Sequence, residues 1–219
     1  MREKVFIYGI GSLAEKILEY NNRDQLFDII GFLDDGGNLE ASFSLLPVMT
    51  YSNFKTQYSA EDCKIFVAIG YTKCNYYREL IVNRVLSDGY QLINYISPKS
   101  ICWDNTIIGL NIFIADNVFV GHGSQIHDGV IIYEGCTFSH NTKVESYCFI
   151  SLRVASGGFT KIGHNSFIGV NTTIKDDITI GAYNIVGCGT NILKSTNEKN
   201  VIVGNPGIAK QKDTLTIKI

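Results

Sequence analysis

This chain of 219 residues has little excess of either charge: the formal net charge is −2 and the pI is about 6.1. A near-neutral balance leaves no basic field for nucleic acid and no polybasic patch for a membrane surface. No apolar run approaches the ~20 residues of a membrane span. The start, MREKVFIYGIG, enters a strand pattern almost at once, so no signal peptide is expected. Cys63, Cys74, Cys102, Cys136, Cys148 and Cys188 form no CxxC and no disulfide-scaffold spacing. Free thiols in a reducing cytoplasm are the expectation.

What the chain does have is a period. Stepping in sixes from Ile108 gives Ile114, Val120, Ile126, Ile132, Phe138, Val144, Ile150, Ser156, Ile162, Ile168, Ile174, Ile180, Val186 and Ile192. All but Ser156 are aliphatic or Phe. The next position is often small, as at Gly109, Gly121, Gly157, Gly163, Gly169, Gly181 and Gly187. Four residues on lies a small or β-branched side chain, as at Val118, Ser124, Thr142, Thr160 and Thr190. A period of six fits neither a helix nor a two-faced strand. It is the hexapeptide pattern of a parallel β-helix. Three repeats make one triangular coil, so residues eighteen apart stack. Fifteen repeats predict five coils and a prism about 24 Å long at ~4.8 Å per rung.

Ahead of the period the pattern alternates. Strands are expected at Val5–Tyr8, Ile29–Leu33, Ile65–Ile69 and Gln91–Ile96, with helices at Leu13–Tyr20 and Asn75–Leu86. This alternation implies a small parallel α/β sheet. Ser97-Pro98 breaks it, placing an α/β Rossmann-like domain at 1–97 and the β-helix at 98–219. Gly9-x-Gly11-x-x-Ala14 opens the first helix, with Asp34 about twenty residues on, as in a phosphate-binding loop. One reading is NAD, with Asp34 on a ribose hydroxyl. The segment is only half a dinucleotide fold, so a nucleotide or nucleotide sugar fits its length better. A tight turn without ligand is the plain alternative.

The histidines are His122, His127, His140 and His164. His122 and His140 are eighteen apart and share a column, with Gly158 on the next rung. Glu134, Leu152, Val170 and Cys188 form a second column on another corner.

Ile7-Tyr8-Gly9, Phe32-Leu33-Asp34-Asp35, Val67-Ala68-Ile69-Gly70, the hexapeptide array, Phe138-Ser139-His140-Asn141 and Val203-Gly204-Asn205-Pro206 together resemble a bacterial family. It comprises nucleotide-amino-sugar acetyltransferases: the N-acetyltransferases of bacillosamine and perosamine synthesis, and sialic acid O-acetyltransferase relatives. The resemblance implies a homotrimer of left-handed β-helices with acetyl-CoA lying between prisms. It implies that His140 is the general base, that the sugar nucleotide lies near Gly11, Ser12, Leu13, Asp34, Asp35 and Gly70, and that acetyl-CoA lies near Phe149, Val170 and Cys188. Gly158 is the candidate oxyanion donor. Asn141 stands where relatives carry Glu or Asp, Tyr71 where Asp or Asn is common, and Phe149 where His can occur. The implied reaction is N-acetylation of a nucleotide-linked 4-amino-4,6-dideoxy sugar for a surface glycan. Sugar O-acetylation and a non-catalytic trimeric sugar-nucleotide binder are the alternatives. A metal is not expected. His122 and His127 echo the ligand spacing of β-helical carbonic anhydrases, but positions 86 and 91 are Leu and Gln, where a third histidine would be needed.

Overall fold

A computed structural model describes residues 2–36 and 46–205. Pro206 and the tail to 219 therefore lie outside the described residues.

The N-terminal unit begins with β1 (Lys4–Tyr8), α1 (Ser12–Asp24) and β2 (Asp28–Leu33). It continues with β3 (Val48–Met49), α2 (Tyr51–Gln57), β4 (Lys64–Val67) and α3 (Tyr76–Ser87). The four strands form one parallel sheet in the order β3-β2-β1-β4. α1 buries Leu13, Ala14, Ile17 and Leu18 on one face, the spacing of an amphipathic helix. Its end is set by Asn21, whose carboxamide donates to the Phe27 carbonyl and accepts the Phe27 N–H. Gly9 turns the chain from β1 toward α1 at φ +118°, and a Cβ there would meet the Ala68 carbonyl oxygen at 2.8 Å. Only glycine satisfies both conditions.

The structure departs from the sequence expectation in two places. β3 and α2 were not expected; β3 is two residues long, too short to show a period. Gln91–Ile96 is not a strand of this sheet. Leu92 makes one isolated bridge to Ile65, whereas Tyr95–Ile96 begins the β-helix. The six-residue register extends backward through Cys102 to Ile96, two repeats before Ile108.

The second unit is a left-handed parallel β-helix of two-residue strands. The first face stacks seven strands from Tyr95–Ile96 to Val201–Ile202. The second stacks six, from Ile101–Cys102 to Asn191–Ile192, and the third five, from Ile107–Ile108 to Thr179–Ile180. Partners are eighteen residues apart, as in Ile131↔Phe149 and Thr137↔Ala155, except at the last rung, where Ile185 pairs with Val201. Seven rungs make the tallest face about 29 Å long. The periodic residues from Ile114 to Ile192 point inward and are buried. Ser156 follows Phe138 on the same face, so a small side chain sits on the rung next to the largest one. Its hydroxyl donates to the Gly157 carbonyl.

Each turn passes through a left-handed residue three positions after the inward one. From Asn111 to Gly189 every such position has φ between 53° and 72°. Asn, Asp and Gly tolerate this conformation at least cost, and they fill ten of the fourteen positions. Asn141 is one of them.

The N-terminal unit sits on the first face. The outward residues Tyr95, Phe113, Ile131 and Phe149 are buried there with Val5, Ile7, Leu13 and Phe66. β4 is an edge strand, and the prism satisfies it. The Asn111 carboxamide accepts the Val67 N–H at 2.7 Å and donates to the Val67 carbonyl at 3.1 Å. Arg78, on α3 with Val82 and Val85, is fully buried. Its guanidinium donates to the carbonyls of Ile69, Gly70, Gly129, Tyr147 and Cys148. Among the described residues no helix is long and apolar enough to cross a membrane.

Candidate active site

His140 lies in the turn between the second and third faces. That corner is opposite the first face, which the N-terminal unit covers. The imidazole is enclosed on several sides. The His122 ring stacks on it with centroids 5.5 Å apart and planes at 26°. On the following rung lies Gly158, where a Cβ would meet His140 Cε1 and Nε2 at 2.7 Å. Phe159 packs edge-on at 5.0 Å and 85°, and Trp103 lies against His122 at 5.9 Å. Asn141 Nδ2 is 3.2 Å from His140 Nδ1. Nε2 has no protein partner among the described residues.

An amide can meet Nδ1 with either end. With Nδ2 donating, Nδ1 holds the lone pair. With the amide turned over, Nδ1–H donates to Oδ1 and the lone pair rests on Nε2. Only the second arrangement makes Nε2 a base. Gly158 is buried beneath the imidazole, and its N–H has no protein acceptor among the described residues. Cys136 and Cys148 are buried packing residues rather than nucleophiles. Burial pushes both thiols up to about 12, and their sulfurs face the Ser151 and Gly163 carbonyls.

The expected sugar-nucleotide residues gather at the C-terminal end of the small sheet. Gly11 is the N-cap of α1 with open space around it and no side-chain cap. The first N–H groups of the helix therefore have no side-chain acceptor at the cap. Ser12 is exposed, while the Leu13 side chain is core and can present only its backbone. The two aspartates separate. Asp35 accepts the Tyr8 hydroxyl at 2.6 Å, the Tyr51 N–H at 2.9 Å and Arg84 at 2.8 Å. Burial pushes its carboxyl up, but these donors outweigh that and hold it below the usual range. Asp35 therefore ties β1 and α3 to the first residue of α2. Asp34 is half-buried, with no carboxylate partner among the described residues.

Gly70 and Tyr71 follow β4. Tyr71 is 57% exposed, and its ring meets Phe149 at 5.0 Å and Phe167 at 4.9 Å. The structure thus joins the expected sugar-nucleotide loop to Phe149, one of the residues expected near acetyl-CoA. Phe149 itself is buried in this cluster. Val170 and Cys188 lie on successive turns between the first and second faces, half-buried and exposed respectively. A mostly apolar cavity of about 440 Å³ opens between Tyr71, Cys74, Phe167 and Ile185. Within one chain, then, the nucleotide loop and the Val170–Cys188 column adjoin one face, and His140 stands on the opposite corner.

Arg78 and Asn111, which tie that loop and strand to the prism, were not singled out from sequence. A signal existed for Arg78: it shares the 4 and 3 spacing of Val82 and Val85. Trp103 and Phe159 gave none beyond position. Among the described residues no three His, Cys, Asp or Glu groups are placed to hold a metal ion.

Residues 4–85 match the PglD N-terminal domain, and residues 159–194 match the bacterial transferase hexapeptide (six repeats). The acetyltransferase domain of PglB from Neisseria gonorrhoeae FA1090 is 26% identical, with a TM-score of 0.84 over 93% of this chain and 98% of that one. The same domain in complex with acetyl coenzyme A matches equally well, over 94% of this chain. PerB from Caulobacter crescentus, in complex with CoA and GDP-perosamine, shares the fold at 22% identity, with a TM-score of 0.79 over 95% of this chain and 97% of that one. The bifunctional protein GlmU of Clostridium novyi (strain NT) is 25% identical over 141 residues, and this chain spans only 31% of its length. The chain thus joins a PglD N-terminal domain to bacterial transferase hexapeptide repeats, on a fold that it shares over 93% of its length with the acetyltransferase domain of PglB.

Proposed function

We propose that this protein transfers the acetyl group of acetyl-CoA to the amine of a nucleotide-linked 4-amino-4,6-dideoxy sugar, a precursor of a surface glycan. The observation that carries the reading is His140: an imidazole held on three sides, with Nε2 left free on an open corner. An amine attacking a thioester must lose a proton as the C–N bond forms. Nε2 accepts it, a role worth ~10²–10⁴-fold. The Gly158 N–H donates to the developing oxyanion. The bond to sulfur then breaks, and the proton passes to the departing thiolate of CoA.

The acetyl donor is assigned to the Val170–Cys188 column beside the apolar cavity, which suits a pantetheine arm. The nucleotide is assigned to the α1 N-terminus, Asp34 and Gly70. The relative with bound acetyl coenzyme A and the one with bound CoA and GDP-perosamine support the two ligand classes. Because His140 faces away from the nucleotide loop of its own chain, the reaction requires a neighbouring copy, and we assign a homotrimer. Ile101, Trp103, Ile107 and Phe159 are each more than half exposed near the His140 corner and would be covered by that neighbour.

A panel of dTDP-, UDP- and GDP-linked amino sugars with acetyl-CoA, read by mass spectrometry, tests the reading. It should give one added acetyl on the amine of at least one sugar. Acetylation of hydroxyls with every amine untouched would replace it with O-acetylation.

A further inference from the structure

The His140–Asn141 pair lies between two glycines, one on the preceding rung and one on the following rung. Gly158 makes room for the imidazole. Gly123, eighteen residues before Asn141, makes room for the amide. A Cβ built on Gly123 would overlap Asn141 Oδ1 and lie 3.3 Å from its Cγ. Gly123 has φ +68°, and its N–H donates to Asn105 Oδ1 at 3.1 Å, so its backbone is held in place from the rung before. The atom in conflict is the far end of a side chain rather than backbone. An added methyl would therefore displace the amide before it displaced the coil.

We infer that Gly123 is a positioning residue for acetyl transfer: its missing side chain opens the slot that holds the Asn141 carboxamide against His140 Nδ1. The inference rests on the reading of His140 as the base. Asn141 adds no charge, so its contribution is geometric, fixing the ring and the nitrogen that keeps the lone pair. A geometric contribution is lost when the amide is pushed aside, even though both catalytic residues remain.

The test is a set of variants assayed with acetyl-CoA and the amino sugar that the wild-type protein acetylates. Gly123→Ala should lower kcat by ~10-fold, the scale of one hydrogen bond to a group that becomes charged, with KM for acetyl-CoA unchanged. Asn141→Gly keeps the left-handed backbone and removes the amide, and should fall by a similar factor. The double variant should be no worse than Asn141→Gly alone, because the slot is useless without its occupant. Gly135→Ala is the control for strain. Gly135 holds the same repeat position on another corner at φ +72°, and its Cβ would meet only Arg153 Cγ, at 3.3 Å. It should lose a comparable amount of thermal stability and keep wild-type kcat.

If Gly123→Ala fails to fold, Gly123→Asn carries the same Cβ in a residue that tolerates this φ. Wild-type turnover in the Gly123 variant, or losses that multiply in the double variant, would overturn the inference. His140→Ala separates the two ideas. An inactive His140→Ala beside an unaffected Gly123→Ala removes only the slot, whereas an active His140→Ala removes the base reading itself.

Discussion

Replacing Arg78 with Met should loosen the clasp between the two units and free the Gly70 loop. The guanidinium is fully buried, and burial pushes it down to about 10, so it stays charged at neutral pH. It has no carboxylate partner among the described residues. The Cys148 carbonyl also accepts the Ile131 N–H at 3.0 Å and keeps one bond without Arg78. The carbonyls of Ile69, Gly70, Gly129 and Tyr147 have no second donor among the described residues. Orphaning four acceptors at ~1 kcal/mol each, the low end for buried groups, costs about 4 kcal/mol. Relief of guanidinium desolvation returns part of this, leaving a net loss of roughly 2–3 kcal/mol. A buried ion pair can often be replaced by an apolar residue without loss, but these carbonyls cannot be replaced along with the arginine. At ~2–4 °C per kcal/mol for a chain of this size, Tm should fall by about 5–10 °C. Arg78→Lys, with three donors instead of five, should fall between. Calorimetry reads the stability, and steady-state kinetics should show KM for the nucleotide sugar rising more than kcat falls. A Tm within about 2 °C of wild type would refute the reasoning.

Asp116 offers a pH test. Arg23 first, then Ser97 against the opposing effect of burial, holds its carboxyl at about 2, below the ~3.9 of an unfolded chain. Its contribution is therefore present above about pH 4 and lost as pH falls toward 2. Asp116→Asn should melt below wild type at pH 6 and converge with it at strongly acid pH; a constant offset would count against this. For the thiols, Cys188 is exposed while Cys136 and Cys148 are buried. Alkylation of the native protein should label Cys188 and spare the other two, and acetyl-CoA should slow the labelling of Cys188. Equal labelling with and without acetyl-CoA would remove Cys188 from the donor site. Asn141→Asp accepts only, so it should hold Nδ1–H and support at least wild-type turnover above neutrality. A loss of activity there would show that the amide donates to Nδ1 rather than accepting from it.

The prism was legible because its signal repeats. A period of six with an inward apolar residue dictates coils of eighteen, and this alone aligns His122, His140 and Gly158. The register counted from Ile108 left out its first two repeats because Cys102 and Ile96 hold it without the glycine that usually follows. The N-terminal sheet was legible where strands were long and apolar, and β3 fell below that length. At the site, residue types were readable but their partners were not. Asp34 and Asp35 look equivalent in sequence, and only the fold brings Arg84, Tyr8 and the Tyr51 N–H to one of them. Asn111 reads as a turn residue, which its φ of 55° confirms. Its second role, satisfying the edge of β4, depends on a strand 44 residues away.

The most direct test of the account is single-turnover transfer by His140→Ala with saturating acetyl-CoA and an amino sugar that the wild-type protein acetylates. The account predicts a chemical step slowed by ~10²-fold or more, with acetyl-CoA affinity nearly unchanged because the donor column is on another corner. Transfer at the wild-type rate would contradict it and require the amine to lose its proton elsewhere.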